Sequence, residues 1–378
     1  SFAYNGLGSA YKDLNNNQEA IINFRKAIEI KPDYFMAYGN LGTTLSTIRH
    51  FDEAKNAFGK ALELKPDHKY TFGRLLHTKM MLCDWSNFDD DIKHLKVSID
   101  KKRKAIIPFP LLSLIDEPKY HKINSEIFMD HKFKNMFPNK IKYTKKNDNK
   151  IKIGYFSPDF REHPTLYLMM DVFKLHDNSK FDVYAFSFGP EAKGEIYDTV
   201  KGFFTEFINV RDISDMDLIK LSRDMKIDIA IDLCAFTAYN RASIFNSRLA
   251  PIQVNYLGYP GTMGASFIDI IIADNIIIPE DDKKYYTERV VNLPNCYQAC
   301  PKNLPMSDKK FSRRELGLPE DAVVFCNFNA NFKNTPDMFT AWTNIMKKVP
   351  NSVLWIMETK DELGAINILN EAKKRNIE

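Results

Sequence analysis

Across 378 residues, 53 basic side chains nearly balance 49 acidic ones, and the net charge of +4 is too small to make nucleic acid the main partner. A 44% hydrophobic composition suffices for sizeable cores in two or three domains, yet no run of about 18 apolar residues suits a membrane and no basic-then-apolar start marks a signal peptide. The five cysteines, at 83, 234, 296, 300 and 326, are odd in number and scattered. That argues for a reducing, cytoplasmic setting, and Cys296 and Cys300 lack the neighbouring His or Cys of a zinc site, so no metal is expected.

The first stretch repeats itself. Leu7, Gly8, Ala20, Phe24, Ala27 and Pro32 recur as Leu41, Gly42, Ala54, Phe58, Ala61 and Pro66, each pair 34 apart. Small residues where helices cross and a proline at the end resemble the tetratricopeptide repeat, which predicts antiparallel helix pairs over residues 1–70. Tyr11, Leu14, Ile48 and Phe51 are expected to fill the groove between helices. Ser1 falls inside a first repeat helix with no capping helix before it, so the chain is expected to begin within a longer array. Residues 71–149 then read as a helical adaptor with AIIPFPLLSLIDEP, clamping the repeats to the α/β part of the chain and ending in a basic linker, KIKYTKKNDNKIK (140–152).

From 150 to 310 the pattern changes. The runs IKIGYF, FDVYAFSF, IDIAIDL, IQVNYLG and IDIIIAD alternate with helical stretches, which predicts a parallel sheet covered on both faces. In such sheets ligands gather beyond the carboxyl ends of the strands, and Asp159, His163, Asp232, Thr237, Tyr259 and Asp274 each follow a strand run. Pro164 keeps His163 out of a helix interior, so the imidazole is expected at a helix entry opened by Pro164 and Thr165. A lone histidine also packs under such turns, and both readings stand at this point. His176 lies in KLHDNSKFD, read as an exposed loop. Asp215 and Asp217 spell DxD, which reads more simply as acids at a helix start.

Residues 311–378 begin a second α/β unit: a strand in DAVVFCNF, a loop, a helix opened by Pro336, and the strand SVLWIM. Lys333 stands just before that helix. Free N–H groups, the positive end of the helix and a mobile cation together suit a diphosphate, although a single lysine is as readily a surface residue. Neither GxGxxG at the first strand nor GxxxxGK[ST] occurs, which disfavours a dinucleotide dehydrogenase and a P-loop NTPase. Two strands are evident where a nucleotide lobe has about five or six, so this lobe is expected to be incomplete.

Taken together, the tandem repeats, the CDW-containing adaptor, GYFSPDFREHPT, APIQVNYLGYPGT and VVFCNFNANFKNTPDMFTAW leading to VPNSVLW resemble the protein O-GlcNAc transferase family, including its SPINDLY-like and bacterial members. The resemblance implies an α plus α/β chain: a tetratricopeptide-repeat α-solenoid, a Rossmann-like lobe of GT-B type, and the start of a second, truncated lobe. It implies inverting transfer of N-acetylglucosamine from UDP-GlcNAc to Ser or Thr of proteins, without metal or other cofactor. Polypeptides would be held by the repeats, with neither nucleic acid nor membrane as partner. In the family's HPT motif, the histidine proposed as catalytic base or acceptor-side group corresponds to His163, with Thr165 beside it. The lysine that contacts the diphosphate corresponds to Lys333. A nucleotide-holding glutamine three residues earlier is replaced by Ala330, which bears on the choice of donor. The loop Gly258, Tyr259, Pro260, Gly261 and Thr262 corresponds to one lining the cleft, where glycines permit close approach and Thr262 offers a hydroxyl. This stretch of chain is expected to have little activity by itself. The alternatives are a degenerate repeat scaffold, another donor such as GDP-fucose, or an asparagine acceptor.

Overall fold

The computed structural model describes residues 1–133, 150–302, 304, 306–357 and 362–377, and the chain divides into two compact units, Ser1–Asp116 with Ser307–Glu378, and Glu117–Met306. The end of the adaptor, and the basic linker up to residue 149, lie outside the described residues.

In the first unit the helices Phe2–Asp13, Asn17–Ile30, Phe35–Thr47 and Phe51–Leu64 succeed one another through short turns. The 34-residue offset has a direct packing meaning. Ala20, Phe24 and Ala27 are buried on the second helix, and Ala54, Phe58 and Ala61 take the same places on the fourth. A Cβ on Gly8 would come within 2.7 Å of the Phe24 ring, and one on Gly42 within 2.8 Å of the Phe58 ring. Glycine is therefore what lets each first helix reach its partner's aromatic ring. Phe51 is buried, and Tyr11 and Ile48 pack partly buried against this core. Leu14, expected in the same groove, is instead 76% exposed. It lies past the last turn of its helix, where Asn15, at φ 59°, turns the chain away. Gly42→Val is expected to cost about 1–3 kcal/mol by overpacking against Phe58. Gly59→Ala, where an added Cβ meets nothing within 4 Å, is expected to stabilise by about 0.5–1 kcal/mol. Urea unfolding of the two variants measures both.

Beyond the repeats come helices Thr71–Met81 and Phe88–Asp100. The start of a helix leaves N–H groups without intrahelical partners. Here a returning segment accepts from them: Tyr70 N–H donates to the Lys104 carbonyl at 2.6 Å and Gly73 N–H to the Ala105 carbonyl at 2.9 Å. The strand Val323–Asn327, helix Pro336–Lys348 and parallel strand Ser352–Ile356 form a βαβ unit, with helix Glu362–Lys374 after it. These elements, expected to begin a lobe of their own at 311, share a compact unit with the repeats and with the adaptor up to Asp116. The contacts explain why. Trp85 of the CDW turn meets Phe339 at 5.4 Å between ring centroids, the Arg375 guanidinium lies over both rings, and Asn367 Nδ2 donates to the Leu82 carbonyl at 2.9 Å.

The second unit opens with helix Pro118–Phe133 and builds a seven-stranded sheet in which every neighbouring pair is parallel. Its strands are β1 Ile151–Ser157, β2 Phe181–Ser187, β3 Glu206–Asn209, β4 Ile229–Asp232, β5 Ile252–Tyr256, β6 Ile270–Ala273 and β7 Arg289–Asn292. The five expected runs fall on β1, β2, β4, β5 and β6. The two outer strands, EFIN and RVVN, are only four residues long, without buried side chains, and carry no apolar run to betray them. In the middle, Phe156 and Phe186 are register partners whose rings stack at 4.3 Å. The order is β3-β2-β1-β4-β5-β6-β7, so the direction of winding reverses between β1 and β4. A crevice forms beyond the carboxyl ends of strands at such a reversal, and residues 157–163 and 232–237 emerge there.

Ser214 caps the helix Asp215–Asp224, accepting the Asp217 N–H, while Asp215 is bound by Arg241 and Ser243. The DxD pair is thus a helix start, as its local sequence suggested. No helix among the described residues is long and apolar enough to cross a membrane.

Candidate functional site

His163 sits where its proline puts it. It is the N-cap of helix Pro164–Lys174, with extended backbone (φ −149°, ψ 147°) and Pro164 in the first turn. Its Nδ1 accepts the Thr165 N–H at 3.2 Å and lies 3.2 Å from the Thr165 hydroxyl, so the Thr165 side chain is buried under the ring rather than presented outward. An acceptor role for Nδ1 puts the proton of the neutral ring on Nε2, which makes the outward nitrogen a donor. Burial holds the imidazole below its ordinary pKa; Asp159, 3.6 Å away, pulls it upward, and Arg161 pushes it down again. The ring remains one-third exposed, and Arg161 bridges to Asp159 at 3.1 Å.

Much of the rest of the expected rim builds turns. Asp232, at the end of β4, accepts N–H groups from Cys234 and Ala235 at 2.9 Å each, and burial pushes its pKa up to about 6 against those two bonds. The same bonds hold Ala235 at φ 49°, a conformation that costs a non-glycine residue roughly 1–2 kcal/mol. Thr237 donates to the Cys234 carbonyl. Asp274 accepts from Ile276, Ile277 and Tyr297, and these bonds hold its pKa below the usual carboxylate range. His176, expected in an exposed loop, is partly buried and within 2.9 Å of the Tyr155 hydroxyl.

The loop from Gly258 to Thr262 is packed inward. A Cβ on Gly258 would come within 2.2 Å of the Leu233 carbonyl oxygen, and one on Gly261 within 2.6 Å of the Tyr259 hydroxyl. Both glycines are required by close approach within this unit. Tyr259 is buried against Phe236 at 5.2 Å, and Pro260 accepts from the Tyr286 hydroxyl. Thr262, expected to offer a hydroxyl to a cleft, is 1% exposed and donates to Glu288 at 2.7 Å. Glu288 also accepts the Met263 N–H, and burial raises its pKa against both bonds. Sequence reading missed this buried clamp, since its partners stand 25 and 26 residues earlier with no motif joining them.

In the other unit, Lys333 ends a short 3-10 turn, Asn331–Lys333, between strand Val323–Asn327 and helix Pro336–Lys348. Ala330 precedes the turn and accepts the Lys333 N–H at 3.0 Å. Asn331 and Asn334 are buried on either side of the exposed lysine; Asn327 Nδ2 donates to Asn334 Oδ1 at 2.8 Å, and Thr335 caps the helix by accepting the Met338 N–H. Among the described residues Lys333 has no carboxylate partner. The loop is anchored by Phe332, whose ring meets His77 at 5.0 Å and Phe109 at 6.2 Å. That anchor was invisible in sequence.

His77 carries a testable consequence. Burial pulls its pKa down from 6.5 to about 4. The neutral ring belongs to the fold, so as pH falls below 6.5 the unfolded chain takes up the proton first, and stability is lost progressively towards pH 4. The gap between the two values corresponds to up to about 3 kcal/mol. His77→Leu is expected to remove that part of the acid sensitivity, seen by comparing urea midpoints at pH 7.5 and 4.5 with those of the unsubstituted protein.

Comparison with known proteins gives a family model, glycosyl transferase family 41, matching residues 82–306 and 297–378, and tetratricopeptide repeat models matching 1–34 and 37–68. A protein of Arabidopsis thaliana named probable UDP-N-acetylglucosamine–peptide N-acetylglucosaminyltransferase SEC is 36% identical over 213 residues, 55% of this chain and 22% of the relative. A Caenorhabditis elegans protein named UDP-N-acetylglucosamine–peptide N-acetylglucosaminyltransferase is 23% identical, covering 73% of this chain and 35% of its own. The chain thus spans well under half the length of these relatives. A solved O-GlcNAc transferase from Thermobaculum terrenum, a point mutant, superposes with a TM-score of 0.75 at 21% identity, covering 99% of this chain and 72% of that one, a likeness of fold.

Proposed function

The chain belongs to glycosyl transferase family 41, and from that premise we propose that it is part of an inverting protein O-linked glycosyltransferase moving N-acetylglucosamine from UDP-GlcNAc to Ser or Thr of polypeptides. The observation that carries this reading is Lys333, an exposed lysine without a carboxylate partner among the described residues, held between two buried asparagines at the entry of a capped helix. When the bond from the anomeric carbon to the diphosphate breaks and a bond to the acceptor oxygen forms, the acceptor hydroxyl passes its proton to a diphosphate oxygen or to water, and negative charge grows on the departing UDP. A fixed cation beside a helix N-terminus stabilises that charge, with no metal called for. The methyl side chain of Ala330 offers no hydrogen bond to a nucleotide.

His163 is assigned to the acceptor side. With Nδ1 engaged by the Thr165 N–H, its role is that of an Nε2 donor positioning an oxygen of the reacting pair rather than that of a base. The loop Gly258–Thr262 supports the strand-end crevice through Leu233 and Glu288. The repeats are assigned to polypeptide binding. All five cysteines are free, in keeping with the cytoplasm.

The test is transfer by the full-length protein to a Ser-containing peptide, monitored by mass spectrometry with UDP-GlcNAc and, in parallel, GDP-fucose. A mass gain of one N-acetylhexosamine on the hydroxyl supports the reading. Gain with GDP-fucose alone, or on asparagine, replaces the donor or acceptor; peptide binding without transfer from either leaves the repeat scaffold.

A further inference from the structure

Beyond the carboxyl ends of β1, β2 and β3, within the sheet unit, lies a polar pocket of about 180 Å³ that the reaction as described does not use. Its floor is the buried ring of Phe160 and the backbone of Gly189, packed so closely on Pro158 that a Cβ would lie 1.7 Å from the Pro158 carbonyl oxygen. Ser187 and Asn209, the last residues of β2 and β3, supply a hydroxyl and an amide. Asn209 Oδ1 accepts the Arg211 N–H at 3.1 Å, which leaves the amide NH2 as the donor on offer.

The pocket holds two cations and one acid, Lys201, Arg211 and Glu191. Lys201 Nζ sits 5.3 Å above the Tyr197 ring and 5.7 Å above the Phe207 ring, so aromatic faces fix it without neutralising it. Arg211 has Asp212 at 3.6 Å, wide for a hydrogen bond, which leaves its guanidinium fork available. The pocket adjoins the His163 turn. Phe160 stands three residues before His163, and a Cβ on Gly194, in the loop that continues from the pocket wall, would lie 3.9 Å from Glu162 Oε1.

We propose that this pocket is an acceptor subsite that receives the carboxylate of an aspartate or glutamate close to the modified residue of the polypeptide, with Arg211 and Lys201 setting that preference. A guanidinium fork beside an ammonium, a hydroxyl and an amide donor matches a planar carboxylate. Glu191 reduces the net charge of the lining to +1, which suits one carboxylate better than a phosphate dianion. The assignment rests on the reading that polypeptides are the acceptors.

The test measures binding by fluorescence anisotropy, so it does not depend on turnover. Full-length protein is titrated with peptide pairs carrying Glu or Gln at each successive position on either side of the serine. At one position or more, Glu is expected to tighten binding about tenfold. Arg211→Gln and Lys201→Gln each lose most of this difference, Arg211→Lys keeps part of it, and Arg211→Glu turns the preference towards Lys-bearing peptides. Melting temperatures identify any variant that fails to fold, in which case the remaining substitutions decide. Equal affinity for Glu and Gln peptides at every position overturns the proposal, as does a preference that survives both Gln variants. Inorganic phosphate that abolishes the preference far below the acetate concentration needed overturns it too, in favour of a phosphate site. A Glu preference in a protein that transfers no sugar upholds the subsite and removes only the assigned reaction.

Discussion

Full-length protein carrying Lys333→Ala is expected to turn over at least about 100-fold more slowly with UDP-GlcNAc while melting as the unsubstituted protein does. The loss comes from where charge develops. Before the sugar departs, the diphosphate is already anionic and the lysine aids binding; as the bond breaks, more charge accumulates on the leaving oxygen, and a cation fixed beside it lowers the barrier more than it lowers the ground state. The fold is indifferent to the change, because the exposed ammonium makes no ion pair among the described residues while the turn is held by Asn327, Asn334 and Phe332. Lys333→Arg keeps the charge and is expected to lie between the two. An unchanged rate for the alanine variant would make Lys333 an ordinary surface residue.

Replacement of His163 by alanine is expected to abolish most transfer, by about 100-fold, at a cost to stability of about 1 kcal/mol from the lost helix cap. Because this histidine caps a helix and is also proposed to meet the acceptor, His163→Asn separates the two roles. Asparagine caps well and its amide is a donor, so stability is expected to return and some transfer with it. A general base would not be replaced by an amide. The pH dependence carries the same distinction: burial lowers the imidazole pKa, so the ring is neutral at pH 7, and on the acid side, below pH 6.5, protonation at Nδ1 breaks the cap to Thr165 and stability declines, while Nε2 keeps its proton and still donates where a general base would be lost. A His163→Ala protein that transfers normally but melts early would leave the residue as a cap alone.

Local rules carried the reading a long way. Gly8 with Phe24 and Gly42 with Phe58 are legible because one packing solution is written twice, 34 residues apart. His163 is legible because Pro164 restricts its neighbour's backbone whatever surrounds it. The central strands are legible because burial on both faces demands unbroken apolar runs, whereas β3 and β7 at the edges bury too little to leave that mark. What escaped was non-local. Phe332 looks like any aromatic residue until His77, far earlier in the chain, is seen beneath it. Glu288 looks like a surface acid until Thr262 and Met263 are seen to close over it. Thr262 was read as facing a ligand because its turn resembles a binding loop, and a resemblance of sequence does not say which way a hydroxyl is turned.

The discontinuity of the first unit has a consequence for biosynthesis. Its two parts, Ser1–Asp116 and Ser307–Glu378, are separated by the 190 residues from Glu117 to Met306. A ribosome making about 5–20 residues per second needs roughly 10–40 s to translate that insertion. Once the first stretch of the insertion has pushed them out of the exit tunnel, Trp85, His77 and Phe109 wait for most of this interval without the covers that Phe332, Phe339 and Arg375 later provide. The nascent chain therefore carries an uncovered aromatic strip for times far longer than helix formation takes, and this strip is where a chaperone would find the half-made protein.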